Sequence, residues 1–177
     1  MKMTYYFIIP GLGNSGPHHW QTHLEKQGNN FIRVEQNEWN APDCEDWINN
    51  IESALSNYDL KDVVLIGHSL GCTTIAHWAK KFNKEIKGAL LVAPSDIESP
   101  VYTFPTTGFS PIPSERLAFK SIVVTSSNDV WVSLERANYS AENWGSELIN
   151  IGNAGHINAD SGYGEWKDCL EILKKFY

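Results

Sequence analysis

The sequence contains little of what a disulfide-stapled, nucleic-acid-binding or membrane-spanning protein needs. Its 177 residues include three cysteines, an odd number without regular spacing, which does not make a disulfide framework. Lysine and arginine number 14 against 21 acidic residues, and a net charge of -7 argues against binding to nucleic acid phosphates. No apolar run approaches the roughly 18 residues of a membrane span.

The beginning of the chain also lacks the pattern of a secretory signal. Residues 1–11 hold one lysine and a short apolar run that stops at a Pro-Gly pair. That run is too short for the apolar region and cleavage site of a signal peptide. We therefore expect a cytoplasmic protein with reduced cysteines, no membrane span and no nucleic-acid partner.

The chain does contain the ordinary composition of a globular protein, with 42% hydrophobic and 20% charged residues. Its length predicts a single domain over residues 1–177, large enough to bury a core without disulfides or structural metal.

Apolar runs alternate with helical patterns along the chain. Strands are predicted at 5–10, 31–36, 63–67, 88–94, 121–127 and 147–152. Helices are predicted at 18–27, 44–58, 70–82, 131–143 and 164–176. Continuous apolar runs suit strands buried on both faces, so the pattern predicts an α/β fold with a mostly parallel sheet of about six strands.

One segment, residues 94–117, interrupts this alternation. It holds five of the eight prolines and the aromatic residues Tyr102, Phe104 and Phe109. A loop of this length in a compact domain is usually functional or disordered, and its aromatic residues argue against disorder. We expect it to form one wall of a substrate pocket, with Phe104 and Phe109 contacting the substrate.

The strongest chemical signal is the sequence Gly-His-Ser-Leu-Gly at residues 67–71, which fits G-x-S-x-G. A predicted strand precedes it and a predicted helix follows it, which is the context of a nucleophile on a sharp strand-to-helix turn. Ser69 is therefore the predicted nucleophile. The alternative is a glycine-rich turn without catalysis, since the motif alone also occurs by chance.

A serine nucleophile needs a general base, and in this type of fold an acid and then a histidine follow it along the chain. Asp129 comes just past the strand at 121–127, and His156 lies in a glycine-rich loop past the last strand. The carboxyl ends of parallel strands converge, so these side chains can meet Ser69. Asp96 is the rival acid; Asp129 could instead cap a helix, and His156 could be an ordinary loop histidine.

An oxyanion hole requires two further N–H donors. The backbone of Leu70, directly after Ser69, is one candidate, and Leu12 in the loop after the first strand is the other. Gly11 in that loop and His68 beside Ser69 are predicted to approach the substrate. Trp131, close to Asp129 in the sequence, is a candidate for the pocket wall.

Two further patterns, one for a dinucleotide site and one for a zinc site, are weaker signals than the serine motif. Gly11, Gly13 and Gly16 fit G-x-G-x-x-G, with Glu35 as the acid of a dinucleotide site, but a lone fingerprint is weak. His19 and His23 have the spacing of a zinc helix without its glutamate. Cys72 is expected to be an inert buried thiol. We therefore expect neither metal nor organic cofactor.

Four stretches together resemble the YdeN-like small serine hydrolases, relatives of retinoblastoma-binding protein 9. They are PGLGNSGPHHWQ, GHSLGC, SSNDVWVS and GHINADSGYGEW, and they occur in family order over most of the chain. The resemblance implies a three-layer α/β-hydrolase fold without a large cap domain. It also implies a catalytic triad of Ser69, Asp129 and His156.

These observations lead to one hypothesis about function and one alternative. The chain is predicted to be a serine hydrolase that cleaves a small or medium ester, thioester or amide through an acyl-enzyme, so that its partner is a small acyl substrate. The alternative is a binding or regulatory protein of the same fold with weak or lost catalysis. A protein partner cannot be named from the sequence.

Overall fold

A computed structural model describes residues 3–177 and contains a six-stranded sheet in which every neighbouring pair is parallel. The spatial order is β2-β1-β3-β4-β5-β6. The strands are β1 (Tyr5–Ile9), β2 (Phe31–Arg33), β3 (Val63–His68), β4 (Gly88–Val92), β5 (Ser121–Thr125) and β6 (Glu147–Asn150). The predicted parallel sheet is confirmed, although every strand except β3 ends one to three residues earlier than predicted, β2 by the most.

Within residues 3–177, four α-helices lie between strands and a fifth follows β6: α1 (Trp20–Glu25), α2 (Cys44–Leu55), α3 (Leu70–Phe82), α4 (Leu134–Trp144) and α5 (Lys167–Leu173). Side-chain caps mark the starts of α1, α2 and α4. Asp43 accepts N–H bonds at the start of α2, as expected from an N-cap aspartate. Helix α4 begins three residues later than predicted because the Ser133 hydroxyl caps it, accepting the N–H of Arg136.

The helices cover both faces of the sheet, so the protein has three layers. Helices α2, α3 and α4 pack against alternate strand residues such as Phe7 and Leu65. Helices α1 and α5 pack on the opposite face, against residues such as Ile8 and Ile66. Successive strand residues point to opposite faces. Because both faces are covered, the strands read as continuous apolar runs.

The order of the strands creates a crevice between β1 and β3. Strand β2 lies beside β1 on one side, and the chain then crosses back so that β3 lies beside β1 on the other side. In such sheets, ligands bind at this reversal, outside the carboxyl ends of the strands. Ile9 pairs with Gly67, so the loop after β1 lies beside the turn that holds Ser69.

The segment 94–117 contains no helix or strand, and Phe109 fastens it to the core. Phe109 is 1% exposed and packs edge-on against Trp47 of α2 and His77 of α3. His77 also donates an Nε2–H bond of 2.8 Å to the Phe109 carbonyl oxygen. The prediction that Phe109 contacts substrate is therefore wrong: its ring fills the apolar space over α2 and α3.

Within residues 3–177, no large cap domain covers the sheet. Among the helices within residues 3–177, none combines the length and the apolar character that crossing a bilayer requires.

Candidate active site

Ser69 occupies a strained turn between β3 and α3. Its φ of 56° lies in the left-handed region that residues with a side chain rarely adopt. The two flanking glycines are required by packing. A Cβ on Gly67 would come within 3.0 Å of the Cys72 backbone, and one on Gly71 would overlap the carbonyl oxygen of Ile9. The turn therefore brings α3 into close contact with β1 and places the Ser69 hydroxyl at the carboxyl ends of the strands.

Ser69, His156 and Asp129 form a continuous chain of hydrogen bonds. His156 Nε2 lies 2.9 Å from Ser69 Oγ, and His156 Nδ1 lies 2.8 and 3.0 Å from the two carboxylate oxygens of Asp129. The Asp129 side chain has no exposed surface and also accepts the N–H of Trp131 at 2.9 Å. The rival acid, Asp96, pairs instead with Arg136.

The loops that carry Asp129 and His156 are bound to each other. Asn128 Oδ1 accepts the N–H of Gly155 at 2.8 Å, and Ser126 Oγ accepts the N–H of Ala154 at 2.9 Å. The His156 N–H in turn donates to Ser161 Oγ at 3.1 Å. These bonds hold the two residues at a constant spacing although 27 positions separate them.

His68 lies beneath the site rather than in the substrate cavity, so the prediction that it contacts substrate is wrong. It is buried, and its Nε2–H donates to the carbonyl oxygen of His156 at 2.9 Å. Burial, followed by the neighbouring His156, lowers the pKa of His68 well below its ordinary value. The neutral side chain of His68 thus joins the end of β3 to the loop that carries His156.

His19 packs against His68, with ring centroids 4.7 Å apart. Its Nδ1 accepts the N–H of Gln21, which caps α1 and explains why this helix begins at Trp20 rather than at residue 18. Burial first, and then the charge of Arg33, lowers the pKa of His19 to about 3. In residues 3–177, no group of three His, Cys, Asp or Glu side chains is arranged to hold a metal ion.

The loop after β1 packs directly on the nucleophile turn. A Cβ on Gly11 would come within 2.8 Å of Ser69 Cβ, so glycine is needed for this close approach. The buried side chain of Gln21 donates to the carbonyl oxygens of Ile9 and Ile66 and thereby joins β1 to β3. This loop presents Leu12 to the cavity beside Ser69.

The Ser69 hydroxyl borders a cavity of about 360 Å³. The cavity is lined by Leu12, Gly13, Asn40, Ser69, Ser95, Tyr102, Phe104, Trp131, His156 and Asn158. Phe104 and Trp131 thus line this cavity, with ring centroids 5.2 Å apart, whereas Gly11 contacts Ser69 without lining the cavity. None of the lining side chains is a carboxylate, a lysine or an arginine.

Sequence reasoning did not identify Ser95, whose Oγ lies 2.6 Å from Ser69 Oγ. Ser95 follows β4 at the carboxyl edge of the sheet, and this position was the one signal that could have indicated it. Asn40 and Asn158 were also missed, because both reach the cavity from irregular loops.

Comparison with known proteins identifies the family of this chain. The serine hydrolase family model matches residues 6–175. A crystal structure described as a YdeN-like hydrolase from Pectobacterium atrosepticum is 33% identical, covers 98% of this chain and 90% of its own, and has a TM-score of 0.88. No curated protein sequence matches.

More distant structures share the fold. The ydeN gene product of Bacillus subtilis is 19% identical, with 98% of both chains covered and a TM-score of 0.81. The carboxylesterase CesB of B. subtilis is 10% identical, covers 99% of this chain and 84% of its own, and has a TM-score of 0.70. The fold is thus that of the α/β hydrolases, and the family match over residues 6–175 means that this chain belongs to the serine hydrolases, as a YdeN-like member.

Proposed function

We propose that this enzyme cleaves a small or medium carboxylic ester, thioester or amide through an acyl-enzyme on Ser69. The observation that carries the proposal is the unbroken chain of hydrogen bonds from Ser69 through His156 to Asp129, which ends in an open cavity.

Each residue has a defined role in the first half-reaction. His156 Nε2 takes the Ser69 proton as Oγ bonds to the substrate carbonyl carbon, and the carbonyl π electrons move to its oxygen. Asp129 holds the imidazole in the tautomer with its proton on Nδ1 and stabilises the imidazolium. When the intermediate collapses, His156 returns the proton to the departing alcohol, thiol or amine.

The negative oxygen of the intermediate needs preorganised donors, and the N–H groups of Leu70 and Leu12 are the candidates. Leu70 is the first residue of α3, so its N–H has no acceptor within the helix. Leu12 borders the cavity next to Ser69, and within residues 3–177 its N–H donates to no other group. Each donor contributes about 3 kcal/mol in comparable sites. Water, activated by His156, then releases the acid.

The cavity supports an uncharged acyl group of modest size. A charged group would lose its hydration without finding an ion-pair partner, because no carboxylate, lysine or arginine lines the 360 Å³ space. Phe104 and Trp131 offer apolar contact, while Asn40 and Asn158 offer hydrogen bonds.

Labelling with a fluorophosphonate probe tests this function. We expect the wild-type protein to be labelled once, at Ser69, and the Ser69→Ala variant to remain unlabelled, because the phosphorus bonds to an activated serine oxygen. Ser114→Ala, at an exposed serine of the 94–117 segment, should be labelled as the wild type is. Mass spectrometry of the labelled peptide identifies the site.

The result that would contradict the proposal is a folded wild-type protein that resists the probe, or labelling that survives Ser69→Ala. Hydrolysis of p-nitrophenyl esters of increasing acyl length, with neutral and carboxylate-bearing acyl groups compared, then defines the substrate class.

A further inference from the structure

Ser95 is held against the nucleophile from a neighbouring strand. It follows β4. Ala93, the residue after β4, has a φ of 48° and turns the chain across the carboxyl ends of the strands. The next N–H, that of Asp96, donates to the carbonyl oxygen of Trp131 at 2.9 Å. Ser95 is 3% exposed, and within residues 3–177 the Ser69 hydroxyl, 2.6 Å away, is the one hydrogen-bond partner of its Oγ.

The direction of the bond between the two hydroxyls follows from counting protons. The Asp129 carboxylate can only accept, so His156 Nδ1 carries a proton, and in a neutral imidazole Nε2 is then an acceptor. Ser69 therefore donates its one proton to Nε2, 2.9 Å away. Since Ser69 has no second proton, Ser95 must be the donor in the bond between the hydroxyls.

We propose that Ser95 is a further catalytic residue, whose hydroxyl donates to Ser69 Oγ as that oxygen attacks the substrate. This inference rests on the proposed role of Ser69 as nucleophile. The Ser95 bond holds Ser69 in the rotamer that points its proton at His156. It leaves one lone pair of the Ser69 oxygen free for the carbonyl carbon.

The hydrogen bond from Ser95 to Ser69 is strongest while Ser69 attacks the substrate. As His156 removes the proton, Ser69 Oγ gains negative charge, and a hydrogen bond to a charged acceptor is about twice as strong as one to a neutral acceptor. Once Oγ has become an ester oxygen, it is a weaker acceptor. Ser95 keeps its own proton throughout, so it stabilises the attack without entering the proton balance.

The test compares Ser95→Ala with a matched variant elsewhere. Ser121 is also 3% exposed and forms a bond of 2.7 Å between hydroxyls, with Ser146, at the opposite edge of the sheet. Ser121→Ala therefore removes the same kind of buried bond far from the reaction. We expect Ser95→Ala to lower kcat for p-nitrophenyl butyrate and the rate of fluorophosphonate labelling about tenfold or more, with KM little changed.

Both alanine variants should lose similar thermal stability, whereas Ser121→Ala should keep wild-type kcat and labelling rate. Ser95→Thr, which retains a hydroxyl, should recover part of the lost rate. If Thr does not fit the buried position, Ser95→Cys keeps a weak donor and should react at a rate between those of the alanine variant and the wild type.

The outcomes separate this inference from the proposed function. Wild-type labelling that is absent, or that survives Ser69→Ala, would overturn the role of Ser69 itself. Labelling at Ser69 with an unchanged rate in Ser95→Ala would overturn the role of Ser95 alone. A purely structural Ser95 would lower thermal stability and leave kcat at the wild-type value.

Discussion

At the scale of single residues, His19 and His68 show how burial determines the charge beneath the site. Both are buried; the ring centroid of His19 lies 4.7 Å from that of His68, which lies 4.9 Å from that of His156. A positive charge on either ring would repel the imidazolium that the proposed proton transfer forms on His156. Burial keeps both rings neutral, so the histidines can support His156 without opposing its protonation.

The neutral His19 makes stability depend on pH. Its folded pKa of about 3 lies below the ordinary value of 6.5, so between these pH values the unfolded chain binds a proton that the folded chain does not. The stability contributed by this difference is complete above about pH 6.5 and is lost as the pH falls toward 3. From pH 7 to pH 5, this one histidine should lower the free energy of unfolding by about 2 kcal/mol.

Urea unfolding of the wild type and of His19→Asn at pH 7 and pH 5 measures this effect. Asparagine retains an oxygen that can cap α1 and removes the titrating ring. The loss of stability between the two pH values should be about 2 kcal/mol smaller in the variant. An equal loss in both proteins would mean that His19 does not stay neutral when folded.

At the scale of elements, the close contact between α3 and β1 positions Ser69, the proposed nucleophile. Gly71 lies in the first turn of α3, where any side chain would meet the Ile9 carbonyl oxygen. The helix can therefore approach the sheet only because this position has no Cβ. The distance between Ser69 and the Leu12 loop depends on the same contact.

Gly71→Ala should consequently displace the start of α3. We expect the free energy of unfolding to fall by about 3 kcal/mol, because backbone on both sides must move. Labelling of Ser69 should also slow. Gly16→Ala is the matched control, since a Cβ there meets nothing within 4 Å, and it should change stability by about 0.5 kcal/mol or less. Urea titration of both variants decides the question, and equal stabilities would refute the packing argument.

Elements and contacts differ in how far they could be predicted. The parallel sheet and the turn at Ser69 follow from local patterns: apolar runs, and glycines around a serine. The places of Ser95 and Phe109 depend on which distant surfaces face each other, which no local pattern encodes. The aromatic character of its segment predicts a pocket position for Phe109, yet its ring is 1% exposed and packs against Trp47 and His77 instead.

At the scale of the whole molecule, all three cysteines are buried in the layers that cover the sheet. Cys44 and Cys72 lie in the core of α2 and α3, and Cys169 lies on the opposite face with α5. Burial raises the pKa of the Cys44 thiol to about 12 and raises that of the other two as well. The reaction of the thiols should therefore show when the helical layers on the two faces of the sheet open.

We expect native protein to react negligibly with dithionitrobenzoate at pH 8, and unfolded protein to release three equivalents, one for each cysteine. The reaction should follow the same urea transition as tryptophan fluorescence. Ser114→Cys, which adds a thiol at an exposed position, should release one equivalent at once. Rapid reaction of native thiols would show that one layer opens independently.

The segment 94–117 is attached to the core at several places, including the buried residues Ser95, Phe109 and Leu117, and the stretch 98–106 lies between these attachments. Near its start, the Asp96 N–H bonds to Trp131, and farther along Phe109 is buried between α2 and α3. None of residues 98–106 is buried, although this stretch supplies Tyr102 and Phe104 to the cavity wall. Mutations in this stretch should therefore cost little in folding, so the wall of the cavity can change shape while Ser69, His156 and Asp129 keep their positions.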